Sequence, residues 1–160
     1  MNQTPKITPF LWFDHDAEEA IRFYLSIFDD AKILSETRWP EGGPMPQGSL
    51  MSARFQLAGQ EFMALNGGPR YRFNEAVSLF VSCKTQQEID TIWARLGKGG
   101  EPGRCGWLKD KFGLSWQVVP TALGDMLGDK DPARARRVAE AMMGMDKLDL
   151  ARLQKAYDHR

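Results

Sequence analysis

Two histidines, His15 and His159, and two cysteines, Cys83 and Cys105, are the strongest metal-binding and nucleophilic side chains in this sequence. They are scattered along the chain. No His-x-x-x-His or Cys-x-x-Cys pair occurs, and zinc sites are built from such clusters rather than from lone ligands. His15 falls in a turn and His159 is penultimate, so both read as solvated. Cys105 precedes Trp107 in a glycine-rich loop, where Lys109 and Lys111 could favour a thiolate. The simpler reading, for it and for Cys83, is a small packed residue. Arg70, Arg72 and Lys109 read as a solvated basic face, and Lys109-Asp110-Lys111 as a charge run beside a hairpin. Gly97-Lys-Gly-Gly-Glu-Pro-Gly103 follows a helix rather than a strand, so it is not a phosphate-binding Walker loop. Asn66, Ser78 and Gln117 are different. They are polar residues in or beside buried strands, where an amide or hydroxyl needs a partner or a ligand.

The elements that position these residues follow from periodicity. Ile7 to Phe13 is almost wholly apolar and reads as a strand buried on both faces. Asp16-Ala-Glu-Glu19 reads as a capping box opening a helix. Ala17, Ala20, Ile21, Tyr24 and Phe28 give that helix one buried face. Strands are expected at about 32–39, 48–57 and 61–65, with Ala58-Gly59-Gln60 as a tight turn. Asn66-Gly67-Gly68-Pro69 ends the unit. The pattern then recurs: an apolar strand from Ala76 to Cys83, a capping box at Thr85-Gln-Gln-Glu88, and a helix burying Ile89, Ile92, Trp93 and Leu96. A shift of 69 residues, Asp16 to Thr85, superposes cap on cap. Strands at about 105–109 and 114–119 follow, with Pro120 ending the sheet. Side chains alternate along a strand, so Gln117 points inward while Trp116 packs behind the sheet. The tail is helical at 122–127, again after Asp131-Pro132, and from Asp146 to about Tyr157. Val138, Met142 and Met145 form its buried stripe.

Composition removes several classes of function. The chain has 160 residues, 42% hydrophobic and 26% charged, with 21 basic and 21 acidic residues. A phosphate-neutralising nucleic-acid binder needs a basic excess that is missing here. No apolar run approaches the length needed to span a bilayer. Two cysteines do not make a disulfide framework, so a cytoplasmic, reducing setting is expected.

The order βαβββ–βαβββ resembles the vicinal oxygen chelate superfamily, which includes glyoxalase I, bleomycin- and fosfomycin-resistance proteins and extradiol dioxygenases. The nearer match is its PhnB-like branch, often labelled 3-demethylubiquinone-9 3-methyltransferase. The matching residues are Pro9-Phe-Leu-Trp-Phe-Asp14, Ala17-Glu-Glu-Ala20, Phe23-Tyr24, Phe62-Met-Ala-Leu-Asn-Gly-Gly-Pro69 and Phe73-Asn-Glu-Ala76. The long stretch Cys105-Gly-Trp-Leu-Lys-Asp-Lys-Phe-Gly-Leu-Ser-Trp-Gln-Val-Val-Pro120 and Arg137-Val-Ala-Glu-Ala-Met-Met143 complete the set. The resemblance implies an α+β fold. One domain over 1–120 holds two modules, at about 5–68 and 76–120, and a helical extension covers 121–160. It also implies a homodimer and a cleft between the modules.

Superfamily enzymes hold a divalent metal in such a cleft through four strand side chains, usually His and Glu. The resemblance puts these positions at Pro9 (or Thr8 after a one-residue slip), at Met63 or Ala64, at Ser78 and at Gln117. None is a carboxylate or imidazole, so no metal and no cofactor are expected. The residues left for a small aromatic or hydrophobic ligand are Phe10, Trp12, Met63, Asn66, Ser78, Trp107 and Gln117. Phe10, Trp12 and Trp116 read equally as core aromatics, and core is the simpler assignment. An alternative is a metal-dependent lyase or dioxygenase with ligands shifted to Glu61, Gln117 and His15. A structural dimer without a ligand is a third reading. The methyltransferase label lacks support in the residues. The strand ending at Phe13 is followed by Asp-His-Asp-Ala-Glu-Glu, without the glycine-rich turn of doubly wound methyl-donor sites. The residues do not decide between an enzyme and a binding protein.

Overall fold

A computed structural model describes residues 5–159. The chain divides into two compact units, one ending at Arg72 and the other beginning at Phe73. The first contains β1 (Phe10–Phe13), α1 (Ala17–Leu25), β2 (Lys32–Arg38), β3 (Leu50–Leu57) and β4 (Gln60–Asn66), its sheet ordered β1-β4-β3-β2. The second contains β5 (Ser78–Cys83), α2 (Gln86–Leu96), β6 (Glu101–Pro102), β7 (Trp107–Lys109) and β8 (Ser115–Pro120), ordered β5-β8-β7-β6. The two orders are the same. In each sheet the first strand pairs parallel with the last, and the remaining pairs are antiparallel. The fold is α+β with paired βαβββ modules, as the sequence pattern required. The two-residue strand β6 is too short to leave a periodic signal.

Three helices close the second unit: α3 (Ala122–Leu127), α4 (Pro132–Met143) and α5 (Leu150–Asp158). Asp131 caps α4 through Ala133 N, with Pro132 in the first turn, and Asp149 caps α5 through Arg152 N. Val119 at the end of β8 packs with Leu123, Met126, Val138, Met145, Leu148 and Leu153 in a dry cluster. No helix among the described residues is long and apolar enough to cross a membrane.

Each sheet has one face covered by its helix. In the first unit Ala17, Ala20, Ile21 and Tyr24 of α1 are buried, as are Leu11, Phe13, Phe55, Phe62 and Ala64 of the strands. In the second, Ile89, Ile92 and Leu96 of α2 are buried with Leu108, Trp116 and Val118. Burial of the leucine, isoleucine, valine and phenylalanine side chains among these stabilises by about 1.5–3 kcal/mol each.

Two expectations about the helices change. Phe28 lies beyond the end of α1, which stops at Leu25. Asp16 makes no side-chain cap bond. The free N–H of Ala17 donates instead to Asn66 Oδ1 at 2.8 Å, so the cap of α1 comes from the end of β4. At α2 the Thr85 cap forms, with Glu88 N donating to Thr85 Oγ1 at 3.2 Å, while Glu88 Oε2 reaches one residue further back and accepts from Lys84 N at 2.8 Å.

Candidate functional site

The face of each sheet opposite its helix carries the candidate site residues other than Asn66. In the first unit the register sets Phe10 beside Met63 and Met63 beside Arg54. The next row sets Trp12 beside Leu65 and Leu65 beside Ser52. Leu11 and Phe13 turn the other way and are buried. The first strand is therefore not buried on both faces, and Phe10 is 49% exposed rather than core. Trp12 is half-buried and held from several sides. Its Nε1 donates to Gly68 O at 2.9 Å, and Tyr71 meets its ring edge-on at 5.1 Å. A Cβ on Gly67 would lie 2.3 Å from the indole, so only glycine fits beneath it.

Asn66 does not share this face. It pairs with Phe13, on the α1 side. Its amide is engaged at both ends, accepting from Ala17 N and donating Nδ2 to Leu50 O at 3.3 Å. The polar residue at the end of β4 thus holds a helix, and its need for partners is met within the fold.

In the second unit the register produces two rows across the sheet. One runs Phe80–Gln117–Trp107 and the other Ser78–Ser115–Lys109–Glu101. Gln117 Nε2 donates to Ser78 Oγ at 2.9 Å, diagonally between the rows. Trp116 lies behind the sheet, buried, with Nε1 donating to Asp110 Oδ2 at 2.9 Å. Phe80 is 60% exposed beside Gln117, and Lys109 Nζ lies 2.5 Å from Glu75 Oε1. Phe80, Ser115, Glu75 and Glu101 were not singled out from the sequence. Their signal was parity: Phe80 stands two residues after Ser78, and Ser115 two before Gln117.

The charge run at 109–111 needs correction. Asp110 is 3% exposed and accepts from Phe112 N, Leu114 N and Trp116 Nε1. It organises the β7–β8 hairpin from inside and belongs to no solvated face.

A family model described as 3-demethylubiquinone-9 3-methyltransferase matches residues 5–119. The chain belongs to that family. Among solved structures, the PhnB protein from Bacillus cereus is 40% identical in a match covering 73% of this chain and 100% of that one, with a TM-score of 0.69. Protein PA1353 from Pseudomonas aeruginosa is 20% identical, covering 73% of this chain and 98% of its own, at a TM-score of 0.60. The fosfomycin resistance protein FosX from Listeria monocytogenes, complexed with Mn(II) and sulfate, is 17% identical, covering 71% and 89%, at a TM-score of 0.51. The last two share the fold with this PhnB-like chain. No curated protein matches it. The match to the family model ends before α3, so α3, α4 and α5 lie outside it.

Phe13 O accepts from Gly67 N, and Cys83 O accepts from Thr121 N, so β1 and β5 correspond at a shift of 70 residues, Phe13 to Cys83. Phe10 then matches Phe80, Met63 matches Gln117, and Thr8 rather than Pro9 matches Ser78. Three residues join β1 to α1 and two join β5 to α2, which is why the caps align at 69. Ala64 is buried on the α1 side, leaving Met63 as the β4 position. The donors on offer are hydroxyls, a thioether, and an amide already bonded to one of those hydroxyls. Divalent ions of this superfamily prefer imidazole and carboxylate, and thioether suits softer ions. The residues do not fit the ion.

The shifted set fares no better. Glu61 lies within β4, beside Arg54 at 2.5 Å, and not in a turn. His15 leaves the far end of β1, level with Gly68, whose N–H donates to Asp14 O. At about 3.3 Å per residue the two are roughly 20 Å apart along the strands. Among the described residues no group of three or more His, Cys, Asp or Glu is placed to hold a metal ion.

The cysteines separate by environment. Cys83 is fully buried, and burial, aided by the charge of Glu88, pushes its thiol up to about 11. Cys105 is half-buried, in a left-handed conformation at φ 59°. Titration of the native protein with a disulfide reagent at pH 8 is expected to modify one thiol per chain, Cys105, with Cys83 reacting only on unfolding. Equal rates at both would contradict the packing. Since the folded Cys83 value lies above the ordinary one, its contribution to stability is complete below pH 9 and is lost between about pH 9 and 11.

Proposed function

We propose that this protein binds a small hydrophobic or aromatic molecule without a metal ion, against the sheet faces that turn away from α1 and α2. The observation that carries the reading is the Gln117–Ser78 pair. An amide and a hydroxyl occupy two expected metal-ligand positions and bond to each other at 2.9 Å. They lie among ring-bearing neighbours: exposed Phe80 and half-buried Trp107 in one row with Gln117. Such a surface suits a planar apolar body oriented by a few polar contacts. Phe10, Trp12, Met63 and Tyr71 give the first unit a similar apolar face. Methyl transfer is not part of the proposal, because β1 leads into α1 through Asp14, His15 and Asp16 with no glycine turn. A homodimer belongs to the proposal on the strength of the family, and two unpaired cysteines suit a reducing compartment.

The test is a thermal-shift and tryptophan-fluorescence screen with quinones, phenols and phosphonates. A ligand that binds only the native state raises Tm. Ring compounds are expected to do so, before and after exhaustive treatment with a chelator. Gln117→Ala should weaken their binding about tenfold, as expected for one oriented hydrogen bond. Loss of binding on metal removal, restored by a divalent ion, would sink the reading.

A further inference from the structure

Ser115 is an oddity of the second sheet. It is 1% exposed, and its Oγ has no hydrogen-bond partner among the described residues. A buried hydroxyl without a partner forfeits the bonds it had in water, so such a group is either a small defect or half of an interaction. Its surroundings decide for the second. Ser115 lines a hollow of about 220 Å³ over β6, β7 and β8, together with Trp107, Lys109, Glu101 and Glu75. It stands mid-row, with Ser78 on one side and Lys109 on the other, and Gln117 lies two residues on along the same strand.

The charges of the hollow are uneven. Its one ammonium, Lys109, is in contact with Glu75 at 2.5 Å. Glu75, and at longer range Glu101, hold Lys109 protonated above its ordinary range. Two carboxylates therefore face one cation that is already engaged. An entering anion would meet net negative charge, whereas a neutral hydroxyl would meet none of that repulsion and would find Ser115 Oγ unbonded. An apolar cavity of ~150 Å³ accommodates benzene, so the hollow has room for one ring and a substituent.

We infer that this hollow receives the polar end of the bound molecule, that this end is an uncharged hydroxyl on an aromatic ring, and that Ser115 Oγ is its hydrogen-bond partner while the ring lies along Trp107. The inference rests on the aromatic-binding reading above and names the ligand class at the same face. It also excludes a class: aromatic carboxylates of the same size.

Phenol, toluene and benzoate, titrated separately against the full chain and followed by Trp fluorescence and calorimetry, test it. Phenol is expected to bind at least tenfold more tightly than benzoate, and Glu101→Gln to narrow that gap. Ser115→Ala should weaken phenol about tenfold and leave toluene unchanged, while Tm stays the same or rises because an unbonded hydroxyl has been removed. Benzoate binding as well as phenol, or phenol binding Ser115→Ala undiminished, would overturn the inference. If Gln117→Ala still weakens phenol in that case, the aromatic-binding reading survives alone. Failure of all three compounds to bind would overturn both. The phenol–benzoate comparison uses the unaltered protein, so it decides even if the variants fold poorly.

Discussion

Replacing Asp110 with alanine is expected to destabilise the protein by about 3 kcal/mol. The carboxylate is almost wholly buried, with Phe112 N at 2.9 Å and Leu114 N at 3.1 Å on Oδ1 and Trp116 Nε1 at 2.9 Å on Oδ2. Truncation leaves these N–H groups, two of them buried, without this acceptor, and each buried orphan costs about 1–3 kcal/mol. Water entering the space offsets part of that sum. For a chain of this length the loss corresponds to a Tm lower by roughly 10 °C. Asp110→Asn should lose less, because its oxygen can still serve the two backbone donors while its NH2 opposes Trp116 Nε1. Urea titration followed by Trp fluorescence measures both variants. An alanine variant within 1 kcal/mol of the parent would show that the hairpin does not depend on this carboxylate.

Gly100→Ala is expected to be about as damaging, for a steric reason. A Cβ at Gly100 would lie 2.0 Å from Lys109 O and 2.8 Å from Asp110 C. Both are backbone atoms of β7 and its turn, so no side-chain rotation relieves the clash. The chain entering β6 must move away from β7. Overpacking of this kind costs about 3 kcal/mol. The strand so displaced carries Glu101 and Pro102, one wall of the hollow beside Trp107, so binding there should fall with stability. Gly124→Ala is the control. Nothing lies within 4 Å of its Cβ, and it sits inside α3. It should be neutral, or stabilising by about 0.5–1 kcal/mol. Equal melting temperatures for Gly100→Ala and the parent would sink the argument.

Much of this arrangement was readable from local pattern. The 3.6-residue spacing of Ile89, Ile92 and Leu96 placed α2 on its sheet, and alternation put Gln117 and Trp116 on opposite faces. The Gln117 and Ser78 positions, the absent carboxylates and the two-module order followed from residue types and resemblance. What local pattern left open shares one cause. Asn66 needed a partner or a ligand, and the partner could not be named because the group it caps, Ala17 N, is 49 residues away. Asp110 was read as part of a charge run beside a hairpin because Lys109 and Lys111 flank it, and its burial depends on donors from the turn and from Trp116 on the returning strand. Phe10 was assigned to the core because an apolar run cannot show which of its faces a helix covers. Pro9 displaced Thr8 because the β1–α1 connection is one residue longer than its counterpart.

The amino-acid order by itself determined which elements form, which side of each helix and strand is apolar, and which chemical groups the site can contain, since these depend on spacing along a single segment. Tertiary structure alone decided how the polar groups are used. Asn66 and Asp110 are consumed in holding the backbone, Gln117 and Ser78 are joined, and Ser115 is left over. Hydrogen bonding saturates, so a group's availability depends on neighbours that strand register delivers from distant parts of the chain.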